Sequence, residues 1–484
     1  MDEFIRTVRN SEIPLHALDT QAAFLNIPYQ FFYGNPENQV DFMPSAVLRR
    51  GFYRALQRFP ILAGYLKTTG PGQTSIVVDQ KDLNMPTYVE TLSKAEFSAM
   101  EAANFHHSSW PPGLYTVGAI TKADAGSGRI KMLNVHVVRM AGGVVVFVNI
   151  PHYAVDGTGF FSFVELWGMR CRQEQGQFAP GEMNYCFDRA LVTRSMPEGR
   201  SPLNQKTLDV YRQFDPLADW VAWLSPNTRG RLLDMAKFSS GIESHTFCVS
   251  KQALDGLCAE VGEFTGSAVN GTHVLAALMS MTVAQAHKAC REEAGQPGIW
   301  SSLVSRLYSL VYPPKQTQFL SLMSDVRHAL GISDQNYMGN GLLPHNTECP
   351  LALLEVPTGV ESLARTAEIT AGVYRGADGP RVASFIDLIS VHPYCFTRPM
   401  FQVTRDPTLL AITNETEFKL YMGDFGHGPP KWVCTIPSFV ANFVGFLPSP
   451  PPSTDIIVNM TLKANVMGHV LKNEFWRNLS SIVY

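Results

Sequence analysis

No apolar run in this 484-residue chain approaches the roughly 20 residues needed to cross a bilayer, and the opening MDEFIRTVRN lacks the apolar centre of a secretory leader. Both absences predict a soluble, cytosolic protein with no membrane partner. None of the eight cysteines (Cys171, Cys186, Cys248, Cys258, Cys290, Cys349, Cys395, Cys434) belongs to a CxxC pair. Such scatter suits neither a zinc site nor a dense disulfide framework, and it reads as reduced thiols. Lysine and arginine form no cluster and the formal net charge is −3, which argues against a nucleic-acid-binding surface. Internal repeats and low-complexity blocks are missing, as are GxGxxG, Walker-type, HExxH and Gly-x-Ser-x-Gly patterns. A dinucleotide, a P-loop phosphate, a helix-borne metal and a serine nucleophile therefore have no evident home. The sequons at Asn459 and Asn478 are expected to be chance, because nothing marks the chain for secretion.

What is present describes a globular protein, 45% hydrophobic and 17% charged, long enough that two cores are the first expectation. The most informative stretch is Gly142 to Gly168. Val144 to Ile150 is a β-branched and aromatic run almost without charge, as in a strand buried on both faces. Pro151 ends it, His152 follows, and then come Asp156 and Gly157. From Phe160 to Trp167 the apolar residues give a helix a buried face. A histidine at the end of a buried strand is held in its neutral form, with one ring nitrogen free to accept a proton. That describes a general base, although a satisfied core histidine beside a helix-capping aspartate fits the same residues.

Elsewhere the pattern is coarser. Phe24 to Tyr33 reads as a buried strand, and Val47, Leu48, Phe52, Leu56 and Phe59 as one face of a helix that Pro60 stops. Ile61 to Leu66 and Ser75 to Val78 suggest a hairpin, and Met132 to Val138 with Val144 to Ile150 a second one that delivers His152. His136 alternates within that second hairpin and is expected to be structural. Residues 171–242 are the least periodic and read as a crossover between domains. Strands are expected at 244–249, 409–421 (one or two) and 455–462, and helices at 251–261, 270–290, 361–372 and 467–476. Asp424 to Pro430 is rich enough in Gly and Pro to be a shaped turn.

Six segments stand in a definite order: PLHALD (Pro14 to Asp19), RFPILAGYL (Arg58 to Leu66), HYAVDG (His152 to Gly157), SDVR (Ser324 to Arg327), YMGN (Tyr337 to Asn340) and DFGHGPP (Asp424 to Pro430). With them the chain resembles the BAHD acyltransferases, most closely their fungal trichothecene O-acetyltransferase-like branch. The resemblance implies an α/β fold of two chloramphenicol-acetyltransferase-like domains with mixed sheets and a channel at their interface. It places an N-terminal domain over residues 1–215 carrying HxxxDG, part of a crossover linker over 216–242, and a C-terminal domain over 243–484 carrying the DFGHG loop, with some strand exchange. It implies a catalytic His152, an Asp156 that serves as structural anchor by pairing with Arg327, and Gly157 as the end of the motif. Asn414, ten residues before Asp424 where the family often has a hydroxyl or amide, is the candidate oxyanion donor. Asp424, Phe425, Gly426, His427 and Gly428 form a structural motif remote from the channel. The chain departs from the family at His427, usually tryptophan, and at Asn414-Glu415, usually Ser-Trp.

The activity so implied is general-base transfer of an acyl group, acetyl above all, from acyl-CoA to a hydroxyl of a specialised metabolite such as a polyketide or terpenoid. Acyl-CoA enters as co-substrate, with no permanently bound cofactor, no metal and a monomeric enzyme. N-acylation needs the same base. A relative with changed chemistry, an isomerase or cyclase without CoA, and a non-catalytic binder are the competing classes.

Overall fold

The computed structural model describes residues 1–21, 25–70, 73–114, 129–178, 181, 183–203, 208, 241–266, 269–293, 316–391, 408–437 and 441–484. Among them the charge-free run after Gly143 forms the centre of a five-stranded sheet. That sheet holds β2 (Asn26–Gly34), β5 (Thr87–Glu96), β6 (Asn134–Ala141), β7 (Gly143–Pro151) and β12 (Trp432–Thr435), in the order β12-β2-β7-β6-β5. Every residue of β7 is buried, which is why its sequence shows no polar alternation. Gly142, at φ +78°, makes the two-strand turn between β6 and β7, a backbone state open to glycine at no steric cost.

The second sheet has seven strands in the order β10-β9-β11-β13-β14-β8-β15. They are β8 (Ile242–Val249), β9 (Thr317–Asp325), β10 (Leu342–Pro350), β11 (Leu409–Asn414), β13 (Phe443–Pro448), β14 (Ile456–Lys463) and β15 (Ser480–Ile482). It is mixed: β11 runs parallel to both β9 and β13, and the other pairs are antiparallel. A small third sheet joins β1 (Ser11–Pro14), β4 (Gln73–Val78) and β3 (Tyr65–Gly70). Two large apolar cores follow the two main sheets. One packs β2, β6 and β7 against the helices Ser45–Leu56 and Gly157–Glu174, and the other packs the seven-stranded sheet against the helices Gly271–Glu293 and Val360–Arg375.

The Gly157–Glu174 helix buries Phe160, Phe161, Phe163, Val164, Leu166 and Trp167, each contributing about 1.5–3 kcal/mol. Its start is therefore held rigidly at the end of β7. The chain also crosses back, since β12 pairs with β2 as an edge of the first sheet.

Several expectations need correction. Pro60–Ala63 forms a 3-10 turn, and the hairpin begins only at Tyr65. The strand at 409–421 ends at Asn414, because the Asn414 side chain accepts from the Thr416 backbone N–H and starts a turn. The last helix is two short ones, Ala464–Val470 and Glu474–Leu479. Asn473 divides them by capping the second through the Trp476 N–H. Within residues 171–242 the long helix runs to Glu174, and Ala190–Ser195 is a helix of its own. Residues 204–207 and 209–240, with most of the expected crossover and Phe24 of the first expected strand, lie outside the described residues.

Candidate active site

β7 and the Gly157–Glu174 helix meet at the His152 corner, where His152 and Asp156 each have a side-chain partner from another part of the chain. The His152 backbone N–H donates to the Leu25 carbonyl, 2.8 Å, which pins the strand end. Its ring Nδ1 lies 2.8 Å from Asn340 Oδ1. The Asn340 amide nitrogen in turn donates to the His152 carbonyl, 2.6 Å, and to Asp19 Oδ1, 3.1 Å. A carboxylate and a carbonyl only accept, so they fix which end of the Asn340 amide carries hydrogens. Asn340 Oδ1 must then accept from His152 Nδ1–H, and the unprotonated ring nitrogen is Nε2.

Asp19 is itself buried, forms an ion pair with Arg189, Nε to Oδ2 3.1 Å, and accepts a hydrogen bond from the Asn340 backbone N–H. Arg189 also donates to the Ala154 carbonyl, 2.5 Å, on the loop that follows His152. A chain of buried partners thus runs from Arg189 through Asp19 and Asn340 to His152. Burial lowers the pKa of His152, against smaller raising effects from Asp156, Asn340 and Asp19. The ring is therefore neutral at neutral pH, as a base requires.

Asp156 does two jobs at once. Its Oδ1 caps the helix by accepting from the Gly159 N–H, and its Oδ2 accepts from the Gly341 N–H, 2.9 Å, and from Arg327 Nη1, 2.8 Å. Both charged side chains are 7% exposed, so solvent screens the pair little. Burial pushes the carboxyl up, but Arg327 and the two backbone donors outweigh it and hold it below its ordinary value. Arg327 spends its other donors on Asp325 and on the carbonyls of Tyr337 and Gly339. The SDVR and YMGN segments are thereby tied to HYAVDG. Asp156 points into this network, capping the helix and pairing with Arg327 at once. Gly341 allows the approach, since a Cβ there would overlap the Arg327 guanidinium. At Gly157 a Cβ would overlap the Phe418 ring.

Asn414 ends β11, in the second sheet. Its amide nitrogen donates to Thr272 Oγ1, 3.1 Å, and its Oδ1 serves the Thr416 turn. Thr272 and Thr416 line a cavity of about 390 Å³ with Lys251, Ser449 and Asp455 among its walls. The next residue, Glu415, accepts from the Tyr29 hydroxyl of β2 and so stitches the two sheets together. Burial raises its pKa to about 7.

The DFGHG loop sits elsewhere. Asp424 accepts from the N–H groups of Gly426 and Gly428, whose φ angles are +99° and +91°, and Arg172 donates to the Asp424 carbonyl. Phe425 packs on Trp167 and Tyr33, and His427 on Phe42. The loop lies over Gly168, about 17 Å along the helix axis from Gly157. His136, expected to be structural, bonds Thr91 and the Leu114 carbonyl.

Sequence reasoning missed three members of the site. Asn340 and Asp19 stood inside quoted segments without a role, and Arg189 lay in a stretch without periodicity. Among the described residues no cluster of His, Cys, Asp and Glu could hold a metal ion, and no helix is long and apolar enough to cross a membrane.

Residues 6–219 match the family model described as Transferase family. No curated protein matches the chain by sequence. The fold matches the crystal structure of F. graminearum TRI101 complexed with coenzyme A and T-2 mycotoxin, at TM-score 0.70 and 14% identity over 98% of this chain and 100% of that one. F. sporotrichioides TRI101 with coenzyme A and T-2 matches at TM-score 0.67, 15% identity and the same coverage. Vinorine synthase matches at TM-score 0.56 and 13% identity, over 96% of this chain and 97% of that one. At such identities the likeness establishes the fold: mixed α/β, two domains, no closed barrel.

Proposed function

We propose that the protein is an acyltransferase of the BAHD kind, a reading supported by the match of residues 6–219 to the Transferase family pattern, and that it transfers an acyl group from acyl-CoA, acetyl above all, to a hydroxyl of a specialised metabolite. His152 Nε2 takes the proton of the acceptor hydroxyl as the oxygen attacks the thioester carbonyl. The same proton then passes to the departing CoA sulfur as the tetrahedral intermediate collapses, so no acyl-enzyme forms. Asn340, held by Asp19, keeps Nδ1 occupied and Nε2 free. Asp156 and Arg327 serve as the anchor of the corner. Asn414, with an amide hydrogen beyond the one given to Thr272, is the proposed donor to the oxyanion. CoA is named as co-substrate because TRI101 was crystallised with coenzyme A and T-2 mycotoxin.

The observation that carries this reading is the 2.8 Å contact of His152 Nδ1 with an Asn340 amide whose orientation Asp19 dictates. A second reading, changed chemistry without CoA, draws on the Asn414-Glu415 departure and on the fold shared with an epimerization domain of tyrocidine synthetase B, at TM-score 0.52 and 10% identity over 97% of this chain and 95% of that one.

Thermal unfolding with free CoA and a panel of acyl-CoAs separates the two. Binding to the native state alone adds about 2.7 kcal/mol at 100 Kd, and a shift that depends on the acyl group identifies the donor. If saturating thioesters produce no shift and direct binding also fails, the CoA-free reading replaces this one.

A further inference from the structure

The carboxylate joined to the His152 ring by hydrogen bonds is Asp19, not Asp156. Asp156 spends its oxygens on Gly159, Gly341 and Arg327, while Asp19 reaches the imidazole through a single amide, that of Asn340. Three segments far apart in the chain meet there: the short helix Ala17–Gln21, the start of the Ala190–Ser195 helix and the YMGN turn. Leu18, Leu191, Val192 and Tyr337, which flank the polar residues of these segments, are buried together in a third, small apolar core. That packing sets Asp19, Arg189 and Asn340 beside one another.

Asp19 is 0% exposed, and a carboxylate so buried needs an opposite charge and hydrogen bonds in place of water. Its Oδ2 accepts from the His16 backbone N–H, 2.8 Å, and its Oδ1 from the Asn340 backbone N–H and side-chain amide, both 3.1 Å. The Arg189 side chain, 3% exposed, supplies the charge. An amide set between a carboxylate and a proton donor is polarised by both. The anion draws on Nδ2–H, electron density moves to Oδ1, and Oδ1 becomes a stronger acceptor for the ring Nδ1–H. This bond gains most when the ring is protonated, because its donor then carries charge.

Building on the acyltransferase reading, we propose that Asp19 is a positioning residue of the reaction: through the Asn340 amide it holds His152 Nδ1–H and favours the imidazolium that forms when Nε2 takes the acceptor proton. Asp19 takes no proton itself, and the one on Nε2 leaves for the CoA sulfur. Arg189 balances the buried carboxylate, and its hydrogen bond to the Ala154 carbonyl fixes the loop that follows the ring. Among the described residues the charged groups around the imidazole are Asp156 with Arg327 and Asp19 with Arg189.

Asp19→Asn removes the charge and keeps the shape. Should the lone Arg189 guanidinium then prevent folding, the double variant Asp19→Asn with Arg189→Gln removes both charges. The full chain, labelled at histidine Cε1, is titrated with acid and followed by NMR, the His152 resonance being assigned by its loss in His152→Ala. Burial lowers the pKa of His152, and Asp19 is among the groups that oppose it, so both variants should titrate at lower pH than wild type. A role confined to holding the fold acts in the other direction: a loosened corner admits water, weakens the effect of burial and moves the titration up toward 6.5. In turnover of acetyl-CoA, read as CoA release, the same variants should lower kcat about ten- to a hundredfold with KM unchanged. Arg194→Gln, which breaks an exposed pair with Asp188 on the same short helix, should change neither reading. The titration needs neither CoA nor acceptor, so acyl-CoAs that fail to bind would defeat the acyltransferase reading and leave its result intact. A His152 titration that stays in place or moves up in both variants overturns the proposal.

Discussion

Two turns of this molecule are built from the same residue types, and they do different work. The His152 corner and the DFGHG loop each set a histidine within four residues of an aspartate, in a turn that also holds glycine. In both, the aspartate accepts backbone N–H groups and shapes the turn. The difference lies in what reaches them from afar. Asp156 meets a buried guanidinium and His152 an oriented amide, whereas His427 rests on Phe42 with its Nε2 buried and without a partner. Motif composition alone does not tell the two turns apart; the distant partners of their histidines do.

The sharpest break in that comparison is His152→Ala against His427→Ala. The first should lower turnover by about 10²–10⁴-fold with unfolding nearly unchanged, and the second should leave turnover within a few-fold of wild type. Assay of CoA release decides it, and equal losses would erase the distinction. In the wild type the acid limb of kcat/KM should lie below the ordinary histidine value of 6.5, because burial depresses the His152 pKa and activity is lost as pH falls through it.

Next come Asp156→Asn and Arg327→Met, each leaving a charged partner buried. About 3–5 kcal/mol of stability should go with either, read by denaturant unfolding, while an Asp424→Asn loop variant should lose about 1 kcal/mol. Near-native stability in both Asp156 and Arg327 variants would remove the anchor from the scheme. Asn340→Ala should reduce kcat by about ten- to a hundred-fold with little change in KM, since it frees the imidazole to bind a proton at either nitrogen. A KM effect alone would make Asn340 a packing residue.

A further effect, one that depends on pH, belongs to Glu415. Its folded value of about 7 stands above the ordinary 4.5, so its contribution is full below pH 4.5 and is lost as pH rises through 7. Glu415→Gln should thus match wild type near pH 4 and exceed it by about 3 kcal/mol at pH 8. Thermal unfolding at the two values checks the sign.

Much of the corner was legible because its determinants are local. The uncharged run 144–150 predicts a strand buried on both faces, Pro151 ends it, and the phenylalanines after Gly159 predict a helix with one packed side. The family resemblance added the Asp156 and Arg327 pair, which the structure brings to 2.8 Å. The strand expected at 409–421 failed at a single side chain, since Asn414 turns the backbone through Thr416 and periodicity does not register such a bond.

By itself, then, the sequence determined the strand, the corner, the helix and the residue types that chemistry at that corner needs, because these follow from the periodicity of burial and the conformational limits of proline and glycine. Only the tertiary structure decided that Asn340, 188 residues from His152, orients its ring, and that Asp19, 321 residues from Asn340, orients the amide. The physical reason is that a buried amide or carboxylate carries no local signature. Its partner is chosen by which groups packing brings together away from water, and each must then be satisfied there.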